Sequence, residues 1–241
     1  MAAGLNNQNV NCVLAGGSNI FAATQAGVYR SSDGGSSWIN PISGSANFTV
    51  STLAYSSGNV FAGNDNGLFV SADNGISWNP INGVPQTAIF FIRVIGNAIY
   101  AGHKNLGIQT ILKSVDNGLT WSPFGQAVSS NYSALLDLGS AGSITYAAAA
   151  DGFYRSADNG STWSLLSYPN EYIVRVITSG SLICAVGGFG GSSFYFSKDN
   201  GSSFSSLGTP GGATNLMYQA EANTSYVYLG SVHGLYRWPL Q

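Results

Sequence analysis

Charged side chains make up only 7% of this 241-residue chain, so those that interrupt its apolar runs are the natural candidates for chemistry. Two arginines do so, Arg93 in Ile92-Arg93-Val94-Ile95 and Arg175 in Val174-Arg175-Val176-Ile177. Guanidinium forks suit carboxylates or paired hydroxyls, and aromatic faces suit sugar rings. His103, Lys104, Asp151, Glu171, Tyr172 and Phe189, with Tyr132, fall in the same stretch of chain, residues 93–189. Such a set suits recognition of a glycan or protein ligand rather than catalysis. A glycoside hydrolase would need two carboxylates facing across a cleft; Asp151 and Glu171 are the pair on offer, with Asp65 and Glu221 in reserve. His103 and His233 each stand alone, and no paired-Cys or His-x-x-x-His spacing, phosphate loop or nucleophile elbow occurs. No metal and no cofactor is expected.

What positions these residues is a repeat. The pattern Ser-x-Asp-x-Gly-x-(Ser/Thr)-(Trp/Phe) occurs at 31–38, 71–78, 114–121, 156–163 and 197–204. Its aspartates are Asp33, Asp73, Asp116, Asp158 and Asp199, separated by 40, 43, 42 and 41 residues, which implies one supersecondary unit copied along the chain. Around each box the sequence reads as four short strands with no helical periodicity. In the second unit the strands fall at 49–55, 59–63, 67–71 and 77–81. Second strands recur as Ile20-Phe21-Ala22, Val60-Phe61-Ala62, Ile99-Tyr100-Ala101, Thr145-Tyr146-Ala147, Ile183-Cys184-Ala185 and Val227-Tyr228-Leu229. The expected fold is therefore all-β: a single domain, residues 1–241, forming a six-bladed β-propeller of four-stranded antiparallel blades. The last unit lacks a box, so residues 1–9 are expected to supply its outer strand and close the ring.

The box itself makes local sense. Its carboxylate can accept backbone N–H bonds across a tight reversal while Asn-Gly or Gly-Gly supplies the positive φ. The ring that follows, Trp38, Trp78, Trp121, Trp163 or Phe204, returns to pack between neighbouring units. This motif resembles the Asp-box, or BNR repeat, of sialidases, sortilin-type receptors, xyloglucan-active glycosidases and photosystem assembly factors, and the resemblance covers nearly the whole chain. It implies that the five aspartates and four tryptophans are structural, at the blade periphery, and that ligands bind on the opposite face. Sialidase activity would require three arginines, a Tyr–Glu pair and an acid/base Asp. The chain offers two arginines outside the repeat, and Phe91-Ile92-Arg93-Val94 lacks the proline of the family's Arg-Ile-Pro signature.

Departures from the repeat point to that opposite face. From the second-strand ring to the box Ser is ten residues in units one, two and four, but fourteen from Tyr100 to Ser114 and thirteen from Cys184 to Ser197. Both insertions, His103-Lys104-Asn105-Leu106-Gly107 and Gly187-Gly188-Phe189-Gly190-Gly191, fall in the loop between second and third strands. Arg93 and Arg175 are read as a matched pair on inner strands, whereas Arg30, Arg155 and Arg237 recur before the box position as exposed strand ends.

Eight basic against ten acidic side chains leave no basic face for nucleic acid. The longest apolar stretch, near 88–100, is interrupted by Arg93, Gly96 and Asn97 and is too short to span a membrane. No basic-then-apolar signal pattern opens the sequence, while its Gly-, Ser- and Asn-rich composition suggests a secreted or cell-surface setting. Cys12 and Cys184 occupy strand positions and are expected to be buried thiols. The expected function is a non-catalytic module binding a glycan or protein ligand; the alternatives are a glycoside hydrolase and a protein-assembly scaffold.

Overall fold

The computed structural model describes residues 4–5, 9–40, 49–105, 108–124, 135–167, 172–187, 193–206, 217–222, 226–231 and 234–239. The chain divides into two compact units, residues 1–124 and 125–241.

In the first unit, β1 (Val10–Gly16), β2 (Asn19–Thr24) and β3 (Gly27–Ser31) form a three-stranded sheet in that order. A single bridge between Arg30 and Ile39 stands where a fourth strand would begin. The next sheet contains β4 (Val50–Ser56), β5 (Asn59–Asn64), β6 (Gly67–Ser71) and β7 (Asn79–Pro80). The third contains β8 (Ile89–Ile95), β9 (Ala98–Asn105), β10 (Ile108–Ser114) and β11 (Ser122–Pro123).

The second unit repeats the plan. One sheet holds β12 (Leu135–Ala141), β13 (Ile144–Ala149), β14 (Gly152–Ser156) and β15 (Ser164–Leu165); another holds β16 (Ile173–Ser179), β17 (Leu182–Gly187), β18 (Ser193–Ser197) and β19 (Ser205–Ser206). Strands β20 (Met217–Ala222), β21 (Tyr226–Ser231) and β22 (Gly234–Pro239) form a three-stranded sheet. All pairings are antiparallel meanders, joined by the short turns that Gly and Asn permit.

The outer strands are shorter than the sequence suggests. The expected strand at 77–81 reduces to Asn79–Pro80, extended by one bond from the Ile81 N–H to the Leu68 carbonyl at 2.9 Å. The box turn occupies the preceding residues, and Pro80 has no N–H to give to a ladder. Every inner strand also carries a bulge, between Val10 and Cys12, Val50 and Thr52, Ile89 and Phe91, Leu135 and Asp137, Ile173 and Arg175, and Met217 and Gln219.

Apolar cores lie between successive sheets within each unit. Phe21, Ala23 and Val28 pack with Val50, Leu53, Val60, Phe69 and Trp78. Phe61 and Leu68 pack with Ile89, Ile92, Ile99 and Leu112, and Tyr146 and Phe153 pack with Ile173, Val176 and Ile183. Fully burying one such ring or branched chain contributes about 1.5–3 kcal/mol. Both cysteines are free: Cys184 is buried and Cys12 half-buried against the first core. Most of residues 1–9, expected to close the last sheet, lie outside the described residues; Gly4 is described, and its backbone abuts the Trp38 carbonyl.

Candidate functional site

Two ends of each sheet bear on function: the end with the repeated turn and the end with the hairpins between second and third strands. At the first, all five boxes share one hydrogen-bond pattern. The box serine donates to its aspartate Oδ1 at 2.7–2.8 Å and accepts the box glycine N–H at 2.7–2.8 Å. Oδ1 also accepts the N–H of Ser37, Ser77, Thr120, Thr162 or Ser203 at 2.9 Å, and Oδ2 accepts the same residue's hydroxyl at 2.5–2.6 Å. Those hydroxyl bonds come first in holding Asp33, Asp73, Asp116 and Asp158 down to about 2, and Asp199 well below the usual carboxylate range. The carboxylates are ionised and committed to their own turn.

The same turns join neighbouring sheets. A Cβ on Gly75 would lie 2.7 Å from the Phe21 ring, on Gly118 2.5 Å from Phe61, and on Gly201 2.9 Å from Tyr146, so the glycine is required for space as well as for its positive φ. The preceding carbonyl is also used: Asn74 accepts from Arg30 Nη1 at 3.2 Å, and Asn200 accepts from the Tyr146 hydroxyl at 2.5 Å. Arg30 is therefore half-buried and bonded to the next turn, not a plain exposed strand end. The box rings pack the same way, Trp78 into the core with Phe21 and Phe204 edge-on to Phe153 at 5.7 Å.

At the hairpin end, the first insertion is not a loop. Strands β9 and β10 stay paired out to Asn105 and Ile108, so the added residues lengthen a hairpin. His103 sits inside it, 4% exposed, its Nδ1 3.3 Å from Thr87 Oγ1 and its Nε2 2.6 Å from Thr110 Oγ1. Burial lowers its pKa below 6.5. The imidazole expected among ligand-binding groups thus holds the hairpin to the connection before β8. Lys104 lies in β9, paired with Gln109.

Arg93 and Arg175 are not counterparts. Arg93 pairs with Tyr100, whereas Arg175 pairs with Val186 directly after its strand's bulge. The residue of β16 that matches Arg93 is Ile177, opposite Cys184. Arg93 is half-buried, with Nη1 donating to the Ile92 carbonyl at 3.0 Å. In the second unit, Asp151 is half-buried in the turn between β13 and β14, and Tyr172 directly precedes β16. Glu171, Phe189, Tyr132 and His233 lie outside the described residues, as does the second insertion from 188 onward.

One residue escaped the sequence reading. Asp137, fully buried in β12, accepts the Leu138 N–H at Oδ1 (2.9 Å) and the Val176 N–H of the next sheet at Oδ2 (3.1 Å). Thr52 plays the equivalent part in the first unit, accepting the Ile92 N–H at 3.3 Å. Both follow the inner-strand bulge and stand 19 residues before their box serine, Ser71 or Ser156, so a plain count back from the boxes aligns them. Among the described residues no group of three or more His, Cys, Asp or Glu side chains could hold a metal ion, and no helix is long and apolar enough to cross a membrane.

Repeated antiparallel sheets, cores between their faces and repeated turns docking on the preceding sheet define a β-propeller fold. Solved structures agree. The chain aligns over 98% of its length with an ancestral GH74 enzyme (TM-score 0.74, 19% identity, 36% of that chain). It aligns over 97% with the extracellular domain of the putative one component system BT4673 from B. thetaiotaomicron (TM-score 0.76, 15% identity, 33% of that chain). It aligns over 100% with YCF48 bound to D1 peptide (TM-score 0.76, 14% identity, 82% of that chain). The chain thus spans about a third of the first two proteins. No family model matches the sequence, and no curated protein matches it.

Proposed function

We propose that this chain is a non-catalytic binding module that recognises a glycan or protein ligand at the hairpin ends of its sheets, opposite the box turns. The observation that carries this reading is the overhanging β9–β10 hairpin. Strand β11 reaches β10 only at Leu112 and Lys113, with one further bond from the Phe124 N–H to the Ile111 carbonyl. Gln109 has the same parity as Ile111, so its backbone N–H and C=O face the outer edge, where no described strand pairs with them. An edge of this kind accepts an extended peptide by strand addition, which favours a protein ligand. The likeness to YCF48, solved with a peptide, supports the same preference.

The hydrolase alternative draws on the GH74 neighbours and on Asp151 with Glu171. A scaffold role would use the same peptide edge. Likeness to an extracellular domain supports a secreted or surface setting. The five turns are assigned to the Asp-box repeat on their shared residues and hydrogen bonds, with a structural part for their aspartates and rings. The whole repeat is read as one six-bladed domain closed by residues 1–9. Gly4 supports that closure, because it meets box one, whose counterparts at Gly75 and Gly118 pack on a preceding sheet.

The test is a parallel screen of the intact protein on glycan and peptide arrays, beside a Gln109→Pro variant of equal melting temperature. Peptide binding lost in the variant is expected. Glycan binding unaffected by the variant would move the ligand away from this edge, and turnover of an oligosaccharide abolished by Asp151→Asn would replace the binding reading with the hydrolase one.

A further inference from the structure

We propose that Asn82 is a site of spontaneous succinimide chemistry with water as co-reactant, and that the box turns shield their own Asn-Gly pairs from the same reaction. The sequence contains Asn-Gly at 66–67, 74–75, 82–83, 117–118, 159–160 and 200–201. Glycine has no side chain to hinder its nitrogen, so each pair is open to the same ring closure unless the fold prevents it.

The reaction balances without an oxidant or reductant. The glycine backbone nitrogen, losing its proton, attacks the asparagine Cγ. A C–N bond forms, the bond to the side-chain nitrogen breaks, and ammonia leaves. Water then adds across either C–N bond of the imide, giving aspartate or isoaspartate. The step requires a free glycine N–H and freedom to rotate the asparagine.

The boxes deny both. In each of the four Asn-Gly boxes the glycine N–H is held by the box serine hydroxyl at 2.7–2.8 Å. The asparagine is fixed in the left-handed region at φ between 53° and 59°. At Gly75, Gly118 and Gly201 an aromatic ring of the preceding sheet also closes against the glycine. Gly67 is held differently, buried at the start of β6 and paired with Asn64.

Asn82-Gly83 has none of these restraints. Both residues are exposed, and among the described residues neither joins a hydrogen bond and nothing lies within 4 Å of where a Gly83 Cβ would be. The product would add a carboxylate, and in the isoaspartate a main-chain methylene, to the connection between β7 and β8. That connection carries Thr87, the partner of His103.

Native protein is incubated in heavy-oxygen water at mildly alkaline pH, then digested with chymotrypsin in ordinary water. Cleavage after Trp78 and Phe90 separates Asn82 from Asn74. Label is expected in peptide 79–90 at least about tenfold faster than in any box peptide, since reaction in a box must await local opening. In urea all six pairs should label at similar rates. Ser71→Ala should raise labelling at Asn74 and leave Asn82 unchanged; if that variant fails to fold, the native and urea rates of the unaltered protein decide alone. Labelling of native box asparagines as fast as Asn82, or an Asn82 that labels only in urea, would overturn the proposal.

Discussion

Asp137 gives the sharpest test of how the sheets are joined. Its carboxylate satisfies the N–H groups of Leu138 and Val176, residues that are 0% and 5% exposed. Asp137→Ala leaves both donors buried without this acceptor, at about 1–3 kcal/mol each. Taking about 2 kcal/mol per donor, the variant loses roughly 4 kcal/mol. At about 2–4 °C per kcal/mol for a chain of this size, its melting temperature falls by roughly 8–16 °C. Asp137→Thr copies the arrangement at Thr52, keeps one acceptor for the Val176 N–H, and should lose about half as much. Thr52→Ala, with one longer bond to lose, should cost about 1 kcal/mol. Urea titration and calorimetry measure all three. An Asp137→Ala protein within about 1 kcal/mol of the parent, or a Thr variant no better than Ala, would refute the role given to the Asp137 carboxylate.

Other perturbations report on the turns and the buried groups. Gly118→Ala must hold a side chain at φ 85° with its Cβ 2.5 Å from the Phe61 ring, so a loss of about 2–5 kcal/mol is expected in urea unfolding. Acid titration should show the box aspartates: their folded values lie near 2, below the ordinary 3.8, so the unfolded chain takes up protons first. The stability they contribute is complete above 3.8 and drains away as pH falls toward 2. His103 acts with the same sign, its folded value being depressed below 6.5, and His103→Gln should flatten the stability–pH curve just under that pH. Under a thiol reagent, Cys12 should react in the native protein while Cys184, buried and pushed up to about 12, reacts only on unfolding.

Much of the architecture was legible because the boxes are rigid markers. Ser, Asp and Gly at fixed offsets set where each third strand ends, and β6 falls on its expected residues, 67–71. Inner strands carry no such marker. Each contains a bulge at the same place, so the bulges shift no strand against another. The unequal extra lengths after Tyr100 and Cys184, four and three residues, hide that Arg93 and Arg175 stand at different positions, and Asp137 aligns with Thr52 by count but differs from it in residue type. The longer interval after Tyr100 was legible as extra length, but length alone does not separate a loop from a longer hairpin. Pairing to Asn105 and Ile108 settles that, and it puts His103 indoors. The arginine before box one looked like a strand end because its partner, the Asn74 carbonyl, belongs to the next repeat.

The proposed function requires that ligand is taken at the hairpin end, along the outer edge of β10 that no described strand covers, and not on the box turns. The most direct measurement is the dissociation constant of the best array ligand for three proteins matched in melting temperature: the parent, Gln109→Pro on the hairpin, and Leu119→Glu on the box turn, where Leu119 is 81% exposed. Affinity at least about tenfold weaker for Gln109→Pro and unchanged for Leu119→Glu is expected. Unchanged affinity in Gln109→Pro with loss in Leu119→Glu would contradict it and move the binding surface to the turns.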